Sequence, residues 1–493
     1  MVETAAQADM TRHRPRTSRG PGLRSIFIFI VVALALLMSS IDSTIVAVGL
    51  PAMVEGLKTN LVWLGWVLTA YQLSQTVVMP MAGKLSDELG RKWLFLGCVF
   101  LFTLSSLLCA LAPNVYLLIL FRVFQAMGGG AFLPSASGIV SDVFDDRWRP
   151  TAIGLFTSVF PLGGIIGPNV GGWMIDHFGW RSIFFVNVPI GVVLLLAGLV
   201  LIPRGVRAPG QHRIDFLGAG LFALGIVGIM YGMTVWGNQV VFSWQVALWI
   251  VLGLLALVAF VYQESRAPDP MVELRLLRER AFVAVNVYNF LYGALVFGFF
   301  SFIPLYAIDV YHMSETTAGF ILTPRAIIMV LCSTISSFVL IRTGYRMPMI
   351  AGILFVSLGL FLTSQGWQHV TLFGHPVSDV VLLSALVGIT GIGVGISGPA
   401  SNNAAVELMP EAVARIIGLR GMFRSTGGVL GTATIVLLLA HFQNQGHGLE
   451  VILRGLSALI LLVIPIIFLI PDTARARWLK RQQQLARVRG AGD

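Results

Sequence analysis

Two charged residues lie deep inside apolar runs of this 493-residue chain: Asp42 in the run 25–49 and Arg122 in the run 115–141. Each is roughly 10–12 Å from the same end of the layer that these runs would cross, at ~1.5 Å per residue of helix. An isolated charge in hydrocarbon is costly, so such residues usually mark an ion or substrate pathway. Their equal depth predicts that the two face each other across a central cavity.

Two interpretations of this pair stay open. In the functional one, Asp42 takes up a proton, and Arg122 stabilises the carboxylate in one state and releases it in the other. In the structural one, the two residues form a static buried ion pair.

Later runs hold two more deep cations, Arg325 and Arg424, with no obvious acid partner. They could bind helix carbonyl ends or a substrate, or serve only as structural hydrogen-bond donors. Asparagines could add hydrogen bonds there; these are Asn286, Asn289, Asn402 and Asn403.

Aromatic and amide side chains near these charges suit lipophilic cations and planar ring systems. Such side chains more often face lipid or the membrane interface. The candidate substrate contacts are Trp66, Gln72, Gln125, Phe156, Asn289, Tyr292, Arg325 and Asn402. A wider set of the same kind adds Trp63, Tyr71, Phe160 and Tyr288.

The elements that position these residues are predicted to be membrane helices. The chain is 56% hydrophobic and only 11% charged, whereas a soluble domain carries ~25% charged residues. Backbone groups in lipid must be satisfied within each run, so we predict an all-α membrane protein. Its fourteen predicted spans are 25–49, 61–82, 93–112, 115–141, 150–173, 182–203, 214–236, 244–263, 281–308, 317–341, 348–367, 379–408, 414–440 and 451–471.

The net charge of +10 is distributed as a topology signal. Basic residues fill both tails, 1–24 and 472–493, and alternate loops, which is the positive-inside pattern. We therefore expect both tails in the cytoplasm, the first being disordered, and a multi-pass protein of the cytoplasmic membrane. Anionic lipid is the expected contact of the tails, and no nucleic-acid partner is expected.

An internal repeat divides the chain. The glycine pattern G-x8-GG-x2-G at Gly154, Gly163, Gly164 and Gly167 recurs 264 residues later at Gly418, Gly427, Gly428 and Gly431. Paired repeats are common in secondary transporters. We predict two six-helix halves, 25–203 and 281–471, separated by two inserted helices within 204–280.

Small residues form two adjacent ridges in the stretch GLFTSVFPLGGIIGPNVGG. Gly163, Gly167 and Gly171 are four apart, as are Gly164, Pro168 and Gly172. Such ridges let helices approach closely in a membrane. The pattern indicates either plain tight packing or a seam that seals and slides during a conformational cycle.

This stretch resembles the fifth-helix antiporter motif of the major facilitator superfamily. GKLSDELGRK (83–92) resembles the superfamily's signature loop, and RVFQAMGGG (122–130) its fourth-helix motif, with Ala126 in place of the usual glycine. SSIDSTIVAVGLP (39–51) resembles the first-helix motif of the 14-helix drug:proton antiporters of the Emr and Qac type. WRSIFFVNVPIG, TPRA and RSTGG fit that branch too.

The signature loop has a physical interpretation beside the resemblance. Gly83 and Gly90 permit sharp turns, and Asp87 could pair with Arg91 or cap a helix N-terminus. The resemblance implies that Asp87 and Arg91 belong to a charge network that locks the inward gate. On its own, the loop would be interpreted as a solvated topology loop.

The resemblance implies proton-coupled efflux of lipophilic small molecules or drugs by alternating access. The alternative is a dedicated exporter of one metabolite or a self-made antibiotic. No Walker motif is present, so the proton motive force and not ATP is the expected energy source. No cofactor, metal site or enzymatic activity is expected, and Asp42 as the one central anion favours neutral or monovalent cationic substrates over divalent cations.

Overall fold

The computed structural model describes residues 22–145, 148–203, 215–239, 241–268, 270, 272, 274–372, 374–408 and 413–472. Long helices dominate it. They are α1 (Leu23–Val48), α2 (Leu61–Leu89), α3 (Arg91–Ala110), α4 (Val115–Val143), α5 (Arg149–Phe178), α6 (Ser182–Leu201), α7 (Phe216–Gln239), α8 (Trp244–Arg266), α9 (Arg280–Tyr311), α10 (Leu322–Thr343), α11 (Arg346–Thr363), α12 (Asp379–Leu408), α13 (Val413–Leu439) and α14 (Gln445–Ile467).

Twelve helices within the described residues are long and apolar enough to cross a membrane, so the protein is an all-helical, multi-pass membrane protein. The helices α2 and α5, of 29 and 30 residues, are not among the twelve. The count of fourteen spans therefore stays a prediction. Short helices Leu50–Leu57 and Glu315–Phe320 precede α2 and α10, and a small antiparallel ladder pairs β1 (Thr371–Leu372) with β2 (His375–Pro376).

Some long helices are interrupted. The helix α4 breaks at Ala131, between Val115–Gly130 and Phe132–Val143, and α9 contains a π-helical turn at Gly293–Phe297. A π-helical turn inserted in an α-helix often accompanies a functional site. Asparagine side chains begin three helices, because Asn60, Asn114 and Asn444 each accept a first-turn backbone N–H.

We call the end of the bundle that holds Leu23 and Asp472 the tail end, and the opposite end the far end. At the tail end, basic side chains bind the last carbonyl groups of α6 and α14. Lys92 donates to Ile202 at 2.6 Å, and Arg346 donates to Ile470 at 2.8 Å. Cations stabilise helix C-termini, so these charges hold the helix ends in addition to marking topology.

The helix α5 packs on α1 through one of its glycine ridges. Gly163, Gly167 and Gly171 face Ser40, Thr44 and Ile45 of α1. The approach is so close that the Thr44 hydroxyl donates to the carbonyl of Gly163 at 3.2 Å.

The repeated pattern in α13 packs on α9 in the same manner. Gly427 and Gly431 lie against the carbonyl groups of Phe290 and Ala294, and Gly293 of α9 lies against the carbonyl of Arg424. The domain division of the chain stays a prediction.

The predicted inserted helices α7 and α8 pack together through glycines, and α7 lies against α2 and α13. Trp66 of α2 donates its indole N–H to Thr234 of α7 at 2.7 Å. A small pocket between α2, α7 and α13 is lined by Gly65, Met230 and Val436, among others. The helix α7 thus covers a place where α2 of the first half meets α13 of the second half.

The neighbours Gly163 and Gly164 allow a matched test of this packing. A methyl group at Gly163 would lie 2.9 Å from the backbone nitrogen of Ile41, whereas one at Gly164 meets nothing within 4 Å. Both changes to alanine raise helix propensity equally, by ~1 kcal/mol. We expect Gly163→Ala to lower the melting temperature of the detergent-purified protein and Gly164→Ala to leave it unchanged or raise it. Equal melting temperatures would show that the α1–α5 contact is not tight.

Candidate functional site

The carboxylate of Asp42 is the centre of a buried hydrogen-bond network. Its Oδ2 lies 2.5 Å from the Nη1 of Arg122, and its Oδ1 accepts from the amides of Gln125 at 2.8 Å and Asn187 at 3.0 Å. Asp42, Arg122 and Gln125 are each 0% exposed. All these donors converge on one carboxylate, which stabilises its ionised form.

Arg122 is held from several sides as well. It donates to the Oε1 of Gln125 at 2.6 Å and to the carbonyl of Val67 at 3.3 Å. Its guanidinium lies 3.9 Å from the ring centroid of Tyr71, a cation–π contact. The side-chain amide of Gln125 extends the network to α3 by donating to the hydroxyl of Ser106 at 2.7 Å.

The equal depth of Asp42 and Arg122 correctly predicted that they meet, but the expected cavity between them is wrong. The pair lies among α1, α2, α3, α4 and α6, inside the first half of the chain, and no side chain of the second half bonds to it in the described residues. Direct contact fills the space because the side chains of α4 reach α1 between small residues. Ser39 and Gly129 lie in contact at this crossing.

Several candidate substrate contacts of the first half have other neighbours. Gln125 belongs to the Asp42 network, and Trp66 bonds to Thr234 of α7 as described above. Phe156 is fully buried and packs edge-on against Phe29, with ring centroids 6.5 Å apart. Gln72 is half-buried on α2, and its side chain has no hydrogen-bond partner in the described part of the chain.

Of the wider aromatic set, Trp63 packs on Tyr116 with ring centroids 5.0 Å apart, and Tyr71 contacts Arg122. Tyr71 therefore belongs to the buried Asp42 network, whereas Trp63 packs near the helix surface. The side chain of Phe160 lies outside the described residues.

Candidates in the second half converge on α9 and α12. Tyr292 is buried and stacks on Tyr288 with ring centroids 5.6 Å apart, and its hydroxyl accepts from Ser397 at 3.2 Å. Asn289, also buried, accepts from Ser401 at 3.3 Å. Asn286 instead donates to the carbonyl of Phe282 within its own helix.

Arginines surround this group. Arg420 of α13 donates to Asn402 and to Ser401, both at 3.0 Å. Arg325 of α10 lies 3.2 Å from the ring centroid of Phe300. Arg424 is exposed, whereas Asn403 donates to the carbonyl of Pro399 in its own helix.

The predicted signature loop is mostly helical. The helix α2 continues through Gly83 and Asp87 to Leu89, so the expected turn at Gly83 is wrong. The reversal occurs at Gly90 alone, whose φ of 86° favours glycine. Arg91 pairs with Asp142 of α4 at 2.5 Å and donates to the carbonyl of Gly138 at 2.7 Å. The side chain of Asp87 lies outside the described residues.

The second glycine ridge of α5 closes the far end against the second half. Gly172 lies against the backbone of Glu315 and Thr316, and Gly319 lies against the carbonyl of Pro168. Asn169 donates to Thr323 at 2.6 Å. Among the described residues, the hydrogen bonds that cross between the halves lie at this end.

We call the contacts of α5 with residues 315–323 the far-end seam, and one carboxylate, Asp176, belongs to it. Asp176 accepts from the backbone N–H of Thr316 at 3.0 Å and from its hydroxyl. Burial would raise the pKa of Asp176, but hydrogen bonds with Glu315 and Thr316 hold it below its ordinary value of 3.8. Its contribution to the seam is therefore present above the ordinary pKa and is lost only as the pH falls through the lowered value.

A family model described as Major Facilitator Superfamily matches residues 32–432 and 285–489. The chain belongs to the Major Facilitator Superfamily. The multidrug transporter protein MdtP of Bacillus subtilis is 31% identical over 420 residues, 84% of this chain and 74% of the relative. The tetracenomycin C resistance and export protein of Streptomyces glaucescens is 30% identical, over 83% of this chain and 75% of its own length.

The solved structures agree on the superfamily fold. A POT family transporter in complex with 5-aminolevulinic acid has a TM-score of 0.64 at 16% identity, covering 89% of this chain and 96% of its own. At that identity the likeness shows the fold alone. The relatives named as drug transporters support the efflux branch that the motifs indicated.

Sequence reasoning missed several polar residues of this superfamily member. Asn187 was not predicted, although it is the one amide in the motif WRSIFFVNVPIG. Arg420 precedes Arg424 by four residues on one helix, a spacing that places both side chains on one face. Asp142 and Asp176 carry no local pattern, because their partners come from distant segments.

The seam at the far end can be tested through Asp176. The change Asp176→Asn removes the charge that accepts both bonds from Thr316, so we expect the far end to open more often. In a Cys332→Ser background, a cysteine replacing the buried Ala318 should react several-fold faster with a membrane-impermeant maleimide. The exposed neighbour His177→Gln is the control. An unchanged rate in Asp176→Asn would show that this bond does not hold the seam.

Proposed function

We propose that this transporter exports lipophilic small molecules, drugs among them, across the cytoplasmic membrane in exchange for protons, by alternating access. Efflux transport is supported by the relatives named as multidrug transporters and as an antibiotic exporter. Proton coupling and lipophilic substrates are our inference. In this proposal both tails are cytoplasmic, energy comes from the proton motive force without ATP, and the protein is not an enzyme.

The observation that carries the proposal is the Asp42 carboxylate, fully buried and bound by Arg122, Gln125 and Asn187. A buried carboxylate is stable as an ion only while its donors are in place. Protonation would cancel the attraction to Arg122, which would leave a buried cation and favour another arrangement of the helices. A proton on Asp42 would thus change which conformation is most stable.

The far-end seam supports a conformational cycle of two states. With the tails inside, the far end is the outer side, and the contacts of α5 with residues 315–323 close it. In this proposal we assign the structure to an inward-facing state in which Asp42 is ionised and paired with Arg122. The lowered pKa of Asp176 keeps that carboxylate ionised at neutral and mildly acidic pH, although the seam also holds Glu315, a carboxyl hydrogen-bonded to Asp176. We assign the coupling proton to Asp42, because that carboxylate is fully buried against the charge of Arg122.

A dedicated exporter of one metabolite or antibiotic remains the second candidate. The relative named for tetracenomycin C export favours it, since that name gives a single compound. The two candidates differ in substrate range and share the role proposed for Asp42.

The proton role of Asp42 can be tested in proteoliposomes with an imposed pH gradient. We follow internal pH and the movement of two dyes, rhodamine 123 and fluorescein. The change Asp42→Asn keeps the side-chain shape but cannot exchange a proton, so dye-dependent proton movement should fall to background. As control, Asp309→Asn removes a carboxylate from the second half and should retain coupling.

Folding must be separated from coupling, because removing one partner of a buried ion pair is destabilising by ~3–5 kcal/mol. The double change Asp42→Asn with Arg122→Gln removes both charges. We expect it to recover much of the melting temperature lost in Asp42→Asn and still to lack proton movement. Coupled transport in the double variant would refute the assignment of the proton to Asp42.

A further inference from the structure

Three arginines of the second half, Arg325, Arg420 and Arg424, lie near Tyr292. Arg420 bonds to Ser401, one turn along α12 from the Ser397 that bonds to Tyr292. The backbone of Arg424 lies against Gly293, next to Tyr292, and the Arg325 guanidinium lies over the ring of Phe300. The three arginines come from α10 and α13, whereas Tyr292 comes from α9 and stacks on Tyr288 with an interplanar angle of 19°. A charged side chain facing lipid is costly, so we place this cluster on the bundle interior.

Two of these arginines have a buried N–H group without a hydrogen-bond acceptor. The Nε groups of Arg325 and Arg420 are buried and have no hydrogen-bond partner, and neither does the hydroxyl of Tyr288. The remaining bonds of Arg420 go to neutral oxygens of Ser401 and Asn402. Within the described residues, neither Arg325 nor Arg420 has a carboxylate within 4.0 Å. A buried donor without an acceptor costs ~1–3 kcal/mol, so these groups are poised for an acceptor.

In this state the deep carboxylate has no free position for a cation, because the oxygens of Asp42 already accept from Arg122, Gln125 and Asn187. In this cluster the charged groups with unfilled hydrogen-bond positions are the arginines Arg325 and Arg420, and the buried, stacked rings of Tyr288 and Tyr292 lie near them.

We propose that Arg325 and Arg420, with Tyr288 and Tyr292, bind the anionic group of a planar, amphipathic substrate, such as an aromatic carboxylate or phenolate. Guanidinium groups bind such oxygens through charge-assisted hydrogen bonds, and the rings pack on the tyrosines. This inference rests on the proposed function and sharpens its substrate class. It replaces the expectation of a neutral or cationic substrate that followed from counting Asp42 as a central anion.

Two dyes with the same xanthene ring system and opposite charge test the proposal. Fluorescein is an anion at neutral pH and rhodamine 123 is a cation. Equilibrium binding of each to the purified full chain is measured by fluorescence polarisation, without any gradient. We expect the wild type to bind fluorescein more tightly than rhodamine 123.

Two variants then address Arg420 itself. Arg420→Gln should weaken fluorescein binding roughly ten- to a hundredfold and spare rhodamine 123. Asn402→Asp is nearly isosteric and places a carboxylate oxygen at the 3.0 Å position where Asn402 already accepts from Arg420. Asn402→Asp should also weaken fluorescein binding and spare rhodamine 123. Because this variant keeps the arginine, it separates loss of the anion site from a folding defect caused by removing Arg420. Arg346→Gln, a tail-end arginine, is the matched control and should bind both dyes as the wild type does.

The outcomes separate this inference from the proposed function. Binding of neither dye by the wild type, preference for rhodamine 123, or equal loss of both dyes in Arg420→Gln would overturn the anion site. If the anion site were overturned but rhodamine 123 drove proton movement in proteoliposomes, the antiport proposal would still stand. If fluorescein bound as expected but moved no protons, the anion site would stand and proton coupling alone would fail.

Discussion

The enclosed ion pair of Asp42 and Arg122 is the interaction on which the first half depends. Moving two charges out of water costs several kcal/mol each, and only close, well-satisfied geometry offsets that cost. The chain meets this requirement with donors from separate helices: Arg122 and Gln125 from α4 and Asn187 from α6. The network therefore ties the helices of this half into one unit whose charge state matters to its packing.

The ion pair of Asp42 and Arg122 is linked by helix packing to the far-end seam. Along α1, Ser40 and Thr44 face the first ridge of α5, and Asp42 lies between them on the other side of the helix. The second ridge of α5, at Pro168 and Gly172, meets the second half at the far end. A shift of α1 caused by a change at Asp42 would therefore be transmitted to α5 by direct packing, since close-packed ridges cannot absorb it. In the proposed cycle, this packing would connect protonation of Asp42 with the contacts that close the far end.

Depth along a helix could be predicted from sequence, because the rise per residue is constant. That is why the meeting of Asp42 with Arg122 was predicted, and why the two glycine ridges were assigned to adjacent faces. What the sequence did not reveal is which helix covers each face. Trp66 was expected to contact substrate, yet α7 lies over it, and nothing local to α2 encodes that neighbour. In the same way, nothing local to Arg91 predicts that it pairs with Asp142, which lies 51 residues further along the chain.

The two halves use one packing pattern for different chemistry. In the first half, the α5 glycines meet side chains of α1, and the charge nearby is neutralised within the pair Asp42–Arg122. In the second half, the α13 glycines meet the backbone of α9 directly, at its π-helical turn, and Arg325 and Arg420 have no carboxylate within 4.0 Å among the described residues. In the proposed mechanism, the two similar packing patterns serve two tasks. The first half would hold the proton on Asp42, and the second half would keep positive charge available to a ligand. Because a ridge of α5 packs on residues 315–323 of the second half, occupation of either proposed site would change the energy of the same interface. A shared interface of this kind is what the proposed exchange of a substrate against a proton requires.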